Sequence, residues 1–205
     1  NYIETNGKTS PSEEELDKLI KSLQEIDTDF QRPIYALFLA DAWLENSEKV
    51  LDWKAKNLQE WLNYHEIRKI EVAFKGKKKD QEALKYILAL ATALEKVDVT
   101  SLTAKPLVDS VNRLKKYSDT KEISLAGLIR SFDLYAESED EGIILHGIVP
   151  DIMGEYYCLT YLKRLSESND SARLNAFIQT AWEEGHSNEF KSFLIRCIND
   201  FHQHK

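Results

Sequence analysis

The sequence lacks the long apolar run that a membrane span requires. None of its 205 residues lies in an apolar stretch long enough to cross a bilayer, for which roughly 20 consecutive apolar residues are needed. The first residues also lack the basic, then apolar, then small-residue order of a secretory signal. With 42% hydrophobic and 30% charged residues, the composition is that of an ordinary soluble globular protein, and no membrane partner is predicted.

Sulfur-containing residues are scarce. The two cysteines, Cys158 and Cys197, both occupy apolar positions of helix-like patterns. We therefore expect two buried free thiols in a reducing compartment and a cytoplasmic protein, with a disulfide or a metal site as the alternative. The single methionine is Met153 and the chain begins at Asn1, so we expect it to be a piece of a longer protein.

Positive charge is in deficit. The 27 basic residues are outnumbered by 35 acidic ones, for a formal net charge of −8. A protein whose main task is to grip nucleic acid needs a positive field, so the overall charge does not favour a nucleic-acid partner. One local exception is the basic stretch from Lys75 to Lys79. It is interpreted as a solvated turn, with contact to phosphate or nucleic acid as the alternative.

Recognisable catalytic and metal-binding motifs are also missing. There is no G-x-x-x-x-G-K-[ST] phosphate loop, no Walker B carboxylate after an apolar strand, no H-E-x-x-H and no G-x-S-x-G. His65 and Glu66 lack the second histidine of a zinc motif, and His202 and His204 are interpreted as part of a polar chain end. We therefore predict no catalytic residue, no metal site and no ATP hydrolysis by these residues alone.

The patterns that are present are mostly helical. Ser12 followed by Glu15 forms a capping box, which predicts the start of a helix. The segment after Pro33, IYALFLADAWLEN, is apolar on nearly every side and predicts a helix that is buried all round. Asp41 lies within this segment. A buried carboxylate there would need a polar partner or belong to a site. Two further short helices are expected before the basic turn.

Three helices and a β-hairpin are predicted in the middle of the chain. The helices begin at Asp80, Pro106 and Leu125, and the first carries an apolar stripe from Leu84 to Leu94. Alternating residues then predict two strands joined by an acidic turn. This is the element order of a winged helix, a helix-turn-helix relative that commonly binds DNA. The predicted strands are residues 132–138 and 143–149, and a helix over residues 151–165 follows them.

The third of these helices lacks the polar residues that recognition of DNA bases requires. A recognition helix presents Arg, Lys, Asn or Gln to the base edges, whereas the segment SLAGLIRS offers Arg130 as its only charge. The turn between the predicted strands reads ESEDE, and its carboxylates would repel a duplex. A winged-helix transcriptional regulator that binds DNA is therefore kept only as an alternative.

The C-terminal residues predict a pair of helices. One apolar stripe includes Leu174, Phe177 and Ala181, and a second includes Phe193 and Cys197. The short connection between them predicts an αα-hairpin. Because one hairpin cannot bury both of its faces, we expect it to be the start of a helical repeat array. Ile178 and Trp182 extend the first stripe, and Ile198 extends the second.

Three stretches resemble signal-transduction ATPases with numerous domains, the STAND class. They are RPIYALFLADAW from Arg32, LQEWLNYHEIRKI from Leu58 and VPDIMGEY from Val149. That class, akin to plant resistance proteins and bacterial defence NTPases, orders its parts as P-loop domain, helical lid, winged helix and helical repeats. The resemblance implies a mainly α fold with one β-hairpin. Its implied parts are a lead-in with the helix that ends the nucleotide-binding domain (1–31), a helical lid (32–79), a winged helix (80–165) and the start of the repeats (166–205).

The resemblance also implies where nucleotide contacts would lie. In the family a proline near the start of the lid contacts the nucleotide, and Arg32-Pro33 is similar to it. The family's winged helix ends in a Met-His-Asp motif whose histidine approaches the ADP phosphate. Val149-Pro150-Asp151 is similar in place, but proline stands where the histidine would be. Arg32, Pro33 and Asp151 are therefore the implied cofactor-binding residues, and Asp151 could instead act as a helix N-cap.

What the resemblance implies about function is a regulatory role. The chain would control nucleotide exchange and oligomerisation of an ATP-dependent switch in signalling or defence, through contacts that differ between two states. No cofactor is expected in these residues alone. ADP or ATP with Mg²⁺ would come with the missing nucleotide-binding domain, and any ATPase activity with the full-length protein. The implied partners are that domain and, through the repeats, a protein ligand or further copies of the chain. The alternatives are the DNA-binding regulator and a helical protein-interaction scaffold.

Overall fold

The computed structural model describes residues 11–26, 33–50, 60, 68–131, 136–139, 142–148, 151–183 and 187–201. These residues are mainly α-helical, with a small antiparallel sheet. The chain divides into two compact units, Asn1–His65 and Glu66–Lys205, and each is described by itself. The boundary between the units falls inside the segment 32–79 that was predicted as one helical lid.

The described part of the first unit contains the helices α1 (Glu13–Ile26) and α2 (Pro33–Val50). Helix α1 begins with the predicted capping box. The Ser12 N–H donates to Glu15 Oε2 at 2.8 Å, and the Glu15 N–H donates to Ser12 Oγ at 3.3 Å. The two helices pack through buried apolar side chains, namely Leu19, Leu39, Ala42, Trp43 and Val50.

Helix α2 is not buried on every side, and the sequence prediction was wrong on this point. Leu37 is 47% exposed, whereas Tyr35 and Leu39 are buried. Asp41 is half-buried. An apolar helix buries only the faces that its neighbours cover, and the helix packed against α2 in the described part of this unit is α1.

The second unit begins with helical residues 68–73 and a turn at residues 74–76. The predicted helices that follow are confirmed to within a few residues at each end. In chain order the elements are α3 (Lys78–Ala93), β1 (Lys96–Asp98), α4 (Lys105–Asp119), α5 (Leu125–Arg130), β2 (Ala136–Glu139), β3 (Gly142–His146), α6 (Asp151–Glu167), α7 (Ser171–Glu183) and α8 (Ser187–Phe201).

The sheet contains a strand that the sequence did not reveal. Strand β1 pairs antiparallel with β3, and β3 pairs antiparallel with β2, so the strand order is β1-β3-β2. The β2–β3 pair is the predicted hairpin, although β3 ends at His146 and residues 132–135 of the predicted first strand lie outside the described residues. With three residues, β1 is too short for an alternating pattern to be recognised.

Asp98 ties β1 to the hairpin. Its Oδ1 accepts hydrogen bonds from the Thr100 hydroxyl at 2.7 Å, the Thr100 N–H at 2.9 Å and the Ile143 N–H at 3.3 Å. Partial burial raises the pKa of the Asp98 carboxyl, but these hydrogen bonds together outweigh that effect, and the pKa lies below its usual value. A Cβ on Gly142 would come within 2.9 Å of Asp98 Oδ2, so a larger residue there would displace the carboxylate.

Helix α3 lies at the centre of the second unit and packs against both α4 and α6. Every residue from Ala83 to Ala93 is buried, so the predicted apolar stripe is one side of a helix that is covered all round. Lys85 is 4% exposed, and its Nζ lies 3.1 Å from Glu71 Oε1 and 3.9 Å from Glu82 Oε1. These carboxylates compensate a charge that would be costly to bury alone.

Helices α7 and α8 form the predicted αα-hairpin and share the core of the second unit. Phe177 and Phe193 are fully buried in the same cluster as the residues of α3. Other apolar side chains of the hairpin are exposed, Trp182 to 48% and Ile198 to 65%. The hairpin therefore leaves some of its apolar side chains exposed, as the sequence indicated.

The two cysteines are free and buried, as predicted. Among the residues described, no helix combines the length and the apolar character that a bilayer crossing demands. The same residues contain no group of His, Cys, Asp and Glu side chains arranged to hold a metal ion.

Candidate functional site

The residues implied as nucleotide contacts belong to different units. Arg32 lies outside the described residues. Pro33 is the first residue of α2 in the first unit, and Asp151 is the first residue of α6 in the second. Asp151 therefore occupies the first helical turn, where a carboxylate is favoured by the helix dipole, and the N-cap position falls one residue earlier. The side chains of Pro33 and Asp151 lie outside the described part of the chain, and their roles stay predictions.

The segment that leads from β3 into α6 is held on the end of α3. The Gly147 N–H donates to the Glu95 carbonyl oxygen at 2.9 Å, and the Ile148 N–H donates to Thr92 Oγ1 at 3.1 Å. The Thr92 hydroxyl itself donates to the Leu88 carbonyl oxygen at 2.8 Å. One buried hydroxyl thus connects the last turn of α3 to the strand-to-helix junction, by which we mean Gly147, Ile148 and the first turn of α6.

Two glycines let this junction approach α3 closely. A Cβ on Gly147 would lie 2.6 Å from Thr92 Cα. A Cβ on Gly154 would lie 2.6 Å from Thr92 Cγ2 and 2.7 Å from the Ile148 carbonyl oxygen. Such distances are far inside van der Waals contact, so a side chain at either position would push the junction away from α3.

A partly buried ion pair joins the start of α6 to α8. Glu155 is 1% exposed, and its Oε1 accepts a hydrogen bond from Arg196 Nε at 2.8 Å. Arg196 Nη1 also lies 3.6 Å from Oε1 of Glu95, which follows α3 in the chain. One guanidinium therefore links three segments that meet at the junction. Its removal would take the cationic partner from a buried carboxylate, which is costly.

The titratable groups behind the junction are kept neutral. Burial, and to a smaller extent Cys197, raises the pKa of the Cys158 thiol. Burial also raises the pKa of the Tyr157 phenol, and burial followed by the charge of Glu82 raises the pKa of Tyr161 to about 12. A protonated thiol is a poor nucleophile and a protonated phenol is no base at neutral pH. This arrangement therefore suits a structural link rather than catalysis.

Helix α5 presents little to solvent. It has six residues, and four of them are buried. Gly127 is half-buried, and Arg130 is the exposed residue of the helix. A helix that reads DNA needs several polar side chains on an exposed face, and α5 does not offer them. The buried residues are Leu125, Ala126, Leu128 and Ile129.

The sequence analysis did not identify Thr92, Glu155 or Arg196. Thr92 and Glu155 are polar residues among apolar neighbours, and that is the signal that could have marked them, because a buried polar side chain needs a partner. The partners lie far along the chain, 56 residues away for Thr92 and Ile148 and 41 residues away for Glu155 and Arg196. Pairs at such separations leave no local pattern.

Comparisons of the chain with protein-family models, with curated proteins and with solved structures gave no match.

Proposed function

We propose that this chain is the lid, winged-helix and first-repeat part of a STAND-type ATP-dependent switch. Its task would be mechanical: to hold a nucleotide-binding domain of the same protein closed, and to release it when a ligand is sensed. The element order of the second unit carries the proposal. From α3 to β3 the order is helix, strand, helix, helix, strand, strand, and the strand order is β1-β3-β2. This order supports the proposal because it is the one expected for a winged helix, a relative of the helix-turn-helix.

The shortness of α5 supports a regulatory winged helix over a DNA-reading one. A transcriptional winged helix would place its third helix in the major groove. Here that helix has six residues and exposes one charged side chain, Arg130. Strand β2 adds the acidic sequence Ala136–Glu139, AESE, which disfavours contact with phosphates.

The junction supports a mechanical role. A switch needs contacts that differ between its two arrangements. The Thr92 hydroxyl fastens Ile148 of the junction to α3, and the Glu155–Arg196 pair fastens the start of α6 to α8. A displacement of the αα-hairpin would therefore act on the strand-to-helix junction. A buried ion pair suits such a two-state element because leaving one partner alone is costly.

The nucleotide enters this proposal only through the partner domain. The chain has no phosphate-binding loop, so its residues do not by themselves fit ADP or ATP with Mg²⁺. What the chain contributes is the positioning of the lid and the winged helix relative to that domain.

The proposal is tested on the full-length protein. Its sequence should contain a phosphate loop within roughly 200–300 residues before Asn1, which is one or two domain lengths. Analytical ultracentrifugation with ADP should give a monomer, and with a non-hydrolysable ATP analogue and Mg²⁺ an assembled form. Absence of the loop, or sedimentation that is the same with both nucleotides, would overturn the proposal.

A variant at the ion pair sharpens this test. Arg196→Met removes the link between α6 and α8, so we expect the assembled form to appear even with ADP. The matched control is Lys163→Gln, which removes one charge from a lysine of α6 that is 75% exposed and should sediment like the wild type.

A second candidate function is a helical protein-interaction scaffold. It is favoured by large apolar side chains of the αα-hairpin that are 45–65% exposed, since surfaces of this kind mark interaction sites. The scaffold needs no nucleotide. Partner binding that is independent of nucleotide, in a protein without a phosphate loop, would favour it over the switch. The exposed residues are Ile178, Trp182, Ile195 and Ile198.

A further inference from the structure

Two basic segments that are far apart in the sequence come together in the second unit. One is the turn before α3 with the first residues of α3, and the other is the end of α4 with the two residues that follow it. Their lysines are all exposed, and we call them the basic face. They are Lys75 and Lys77 before α3, Lys78 and Lys79 in its first turn, Lys115 and Lys116 at the end of α4, and Lys121 after it.

Tyr117 holds the two segments together. Lys77 Nζ lies 4.7 Å and Lys121 Nζ lies 5.9 Å from the centroid of the Tyr117 ring. The ring itself packs against Phe74, with 4.7 Å between the ring centroids. A surface groove of about 610 Å³ runs alongside, and Lys77 and Lys116 both line it. The Tyr117 ring and the groove therefore bring Lys77, Lys116 and Lys121 close together.

The acids that line this groove are already paired with other cations. Asp80 Oδ1 lies 3.1 Å from Arg113 Nη1, and Asp109 Oδ2 lies 2.8 Å from Lys105 Nζ. Within the part of the chain that the structure describes, no carboxylate lies within 4.0 Å of a lysine of the basic face. Among the described residues, the lysines of the face are therefore not paired with a carboxylate.

Three of these lysines occupy positions at the start of α3 where their charge destabilises the helix. Lys77 occupies the N-cap of α3 and makes no side-chain cap hydrogen bond, and Lys78 and Lys79 are the first helical residues. The positive end of the helix dipole repels them, although Asp80 in the same turn offsets part of this effect. Charges kept at an unfavourable place without a carboxylate partner point to a role in binding anions.

The positions of the lysines indicate the class of ligand that the basic face would bind. They extend over a turn and a helix end instead of converging on one point, which suits a chain of phosphates. Tyr117 is the aromatic residue among those that line the groove, and it is 6% exposed. Bases could not stack on it as they do in sites for single strands. A duplex, which presents its phosphates outward and keeps its bases stacked inside, fits this surface better.

We propose that the basic face binds the phosphate backbone of double-stranded nucleic acid without reading its base sequence. The site is separate from α5 and goes beyond the switch function. The net charge of −8 limits the affinity, so we expect a dissociation constant of about 1–100 μM and a strong salt dependence. With about four phosphate contacts, affinity should fall about 100-fold between 50 and 200 mM salt.

The test is fluorescence anisotropy of a labelled mixed-sequence duplex titrated with the full chain at several salt concentrations. The triple variant Lys77→Gln, Lys116→Gln, Lys121→Gln should lower the slope of log K against log salt by about 3, one unit for each lost phosphate contact. The same three positions changed to Arg should keep binding and slope. Circular dichroism checks that every variant is folded.

Two controls locate the binding surface. The first is Lys21→Gln, Lys163→Gln, Lys191→Gln, which makes the same charge change at exposed lysines elsewhere and should leave the slope unchanged within about one unit. The second is Arg130→Gln on α5, which should have no effect. Binding lost only in the basic-face variant supports the proposal. No binding at 50 mM salt, equal losses in both triple variants, loss in Arg130→Gln alone, or binding to phosphatidylserine vesicles but not to duplex would each overturn it.

Discussion

Thr92 is the residue on which the end of α3 and the strand-to-helix junction both depend. Its hydroxyl donates to the Leu88 carbonyl oxygen and accepts from the Ile148 N–H, and its methyl group limits the size of residue 154. The residues around it in α3 are apolar. A hydroxyl is found among them because the buried Ile148 N–H needs an acceptor.

Replacing Thr92 with Val keeps the side-chain shape and removes the hydroxyl. The Ile148 N–H then loses its acceptor, and we expect the free energy of unfolding to fall by about 1–3 kcal/mol. Thr92→Ser keeps the hydroxyl and removes only the methyl group, so it should cost about 1 kcal/mol. Urea titrations followed by circular dichroism compare the two variants. If Val is tolerated as well as Ser, the hydroxyl does not hold the junction.

At the scale of the elements, the attachment of α8 to α6 combines apolar packing with one ion pair. Phe193 and Cys197 bury the apolar side of α8, and Arg196 reaches Glu155 on α6. The apolar contacts hold the helices together but fix their register weakly. The guanidinium fixes it, because the pair forms only when α8 lies at one position along α6.

Removing one partner of this ion pair should lower the free energy of unfolding. Arg196→Met leaves a carboxylate that is 1% exposed without its guanidinium. We expect a loss of about 3 kcal/mol in the free energy of unfolding, at the lower end for buried pairs, because Arg196 itself is 30% exposed. The double variant Glu155→Leu, Arg196→Met should recover much of this loss, since no buried charge remains. Thermal and urea unfolding measure both.

The control for this prediction is an exposed pair on the same helix. Lys163 Nζ lies 3.8 Å from Glu167 Oε1, and Lys163→Met should cost no more than about 0.5 kcal/mol. Equal losses at Arg196 and Lys163 would mean that the Glu155 pair is worth no more than a surface contact. A double variant as unstable as Arg196→Met would show that packing, and not charge, determines the loss.

Elements with a local signal could be predicted from the sequence, and elements without one could not. The capping box of Ser12 and Glu15 marked the start of α1, and the proline at 106 marked the start of α4. Strand β1 was missed because its three residues acquire strand geometry only by pairing with β3. The burial of α3 on all sides was missed because it depends on α4 and α6, which pack against it.

The candidate site was less predictable than the fold for a related reason. The start of α6 at Asp151 was predicted because a helix start has a local signature, whereas the role of Asp151 stays a prediction. Thr92, Glu155 and Arg196 act through partners 56 and 41 residues away, and such pairs exist only once the chain is folded. The basic turn was visible in the sequence. That this turn lies beside the end of α4 is shown only by the contacts of Lys77 and Lys121 with the Tyr117 ring.

At the scale of the whole molecule, the described residues form two hydrophobic cores. One joins Leu19 of α1 to Trp43 and Val50 of α2. The other runs from Ile70 to Cys197 and contains residues of the αα-hairpin as well as of α3. A unit that has its own core can fold by itself. The second core extends across residue 165, so the hairpin should contribute to the stability of the unit Glu66–Lys205.

A chain of residues 66–205 should therefore unfold in one cooperative transition. Shortening it to 66–165 removes Phe177 and Phe193, both fully buried, and each large aromatic lost from a core costs about 3–5 kcal/mol. Because a domain is stable by only about 5–15 kcal/mol, the shorter chain should be largely unfolded at room temperature. Urea titrations of both chains by circular dichroism test this. If the shorter chain unfolds at the same urea concentration, the hairpin is an independent addition, and the division at residue 165 marks a true domain boundary.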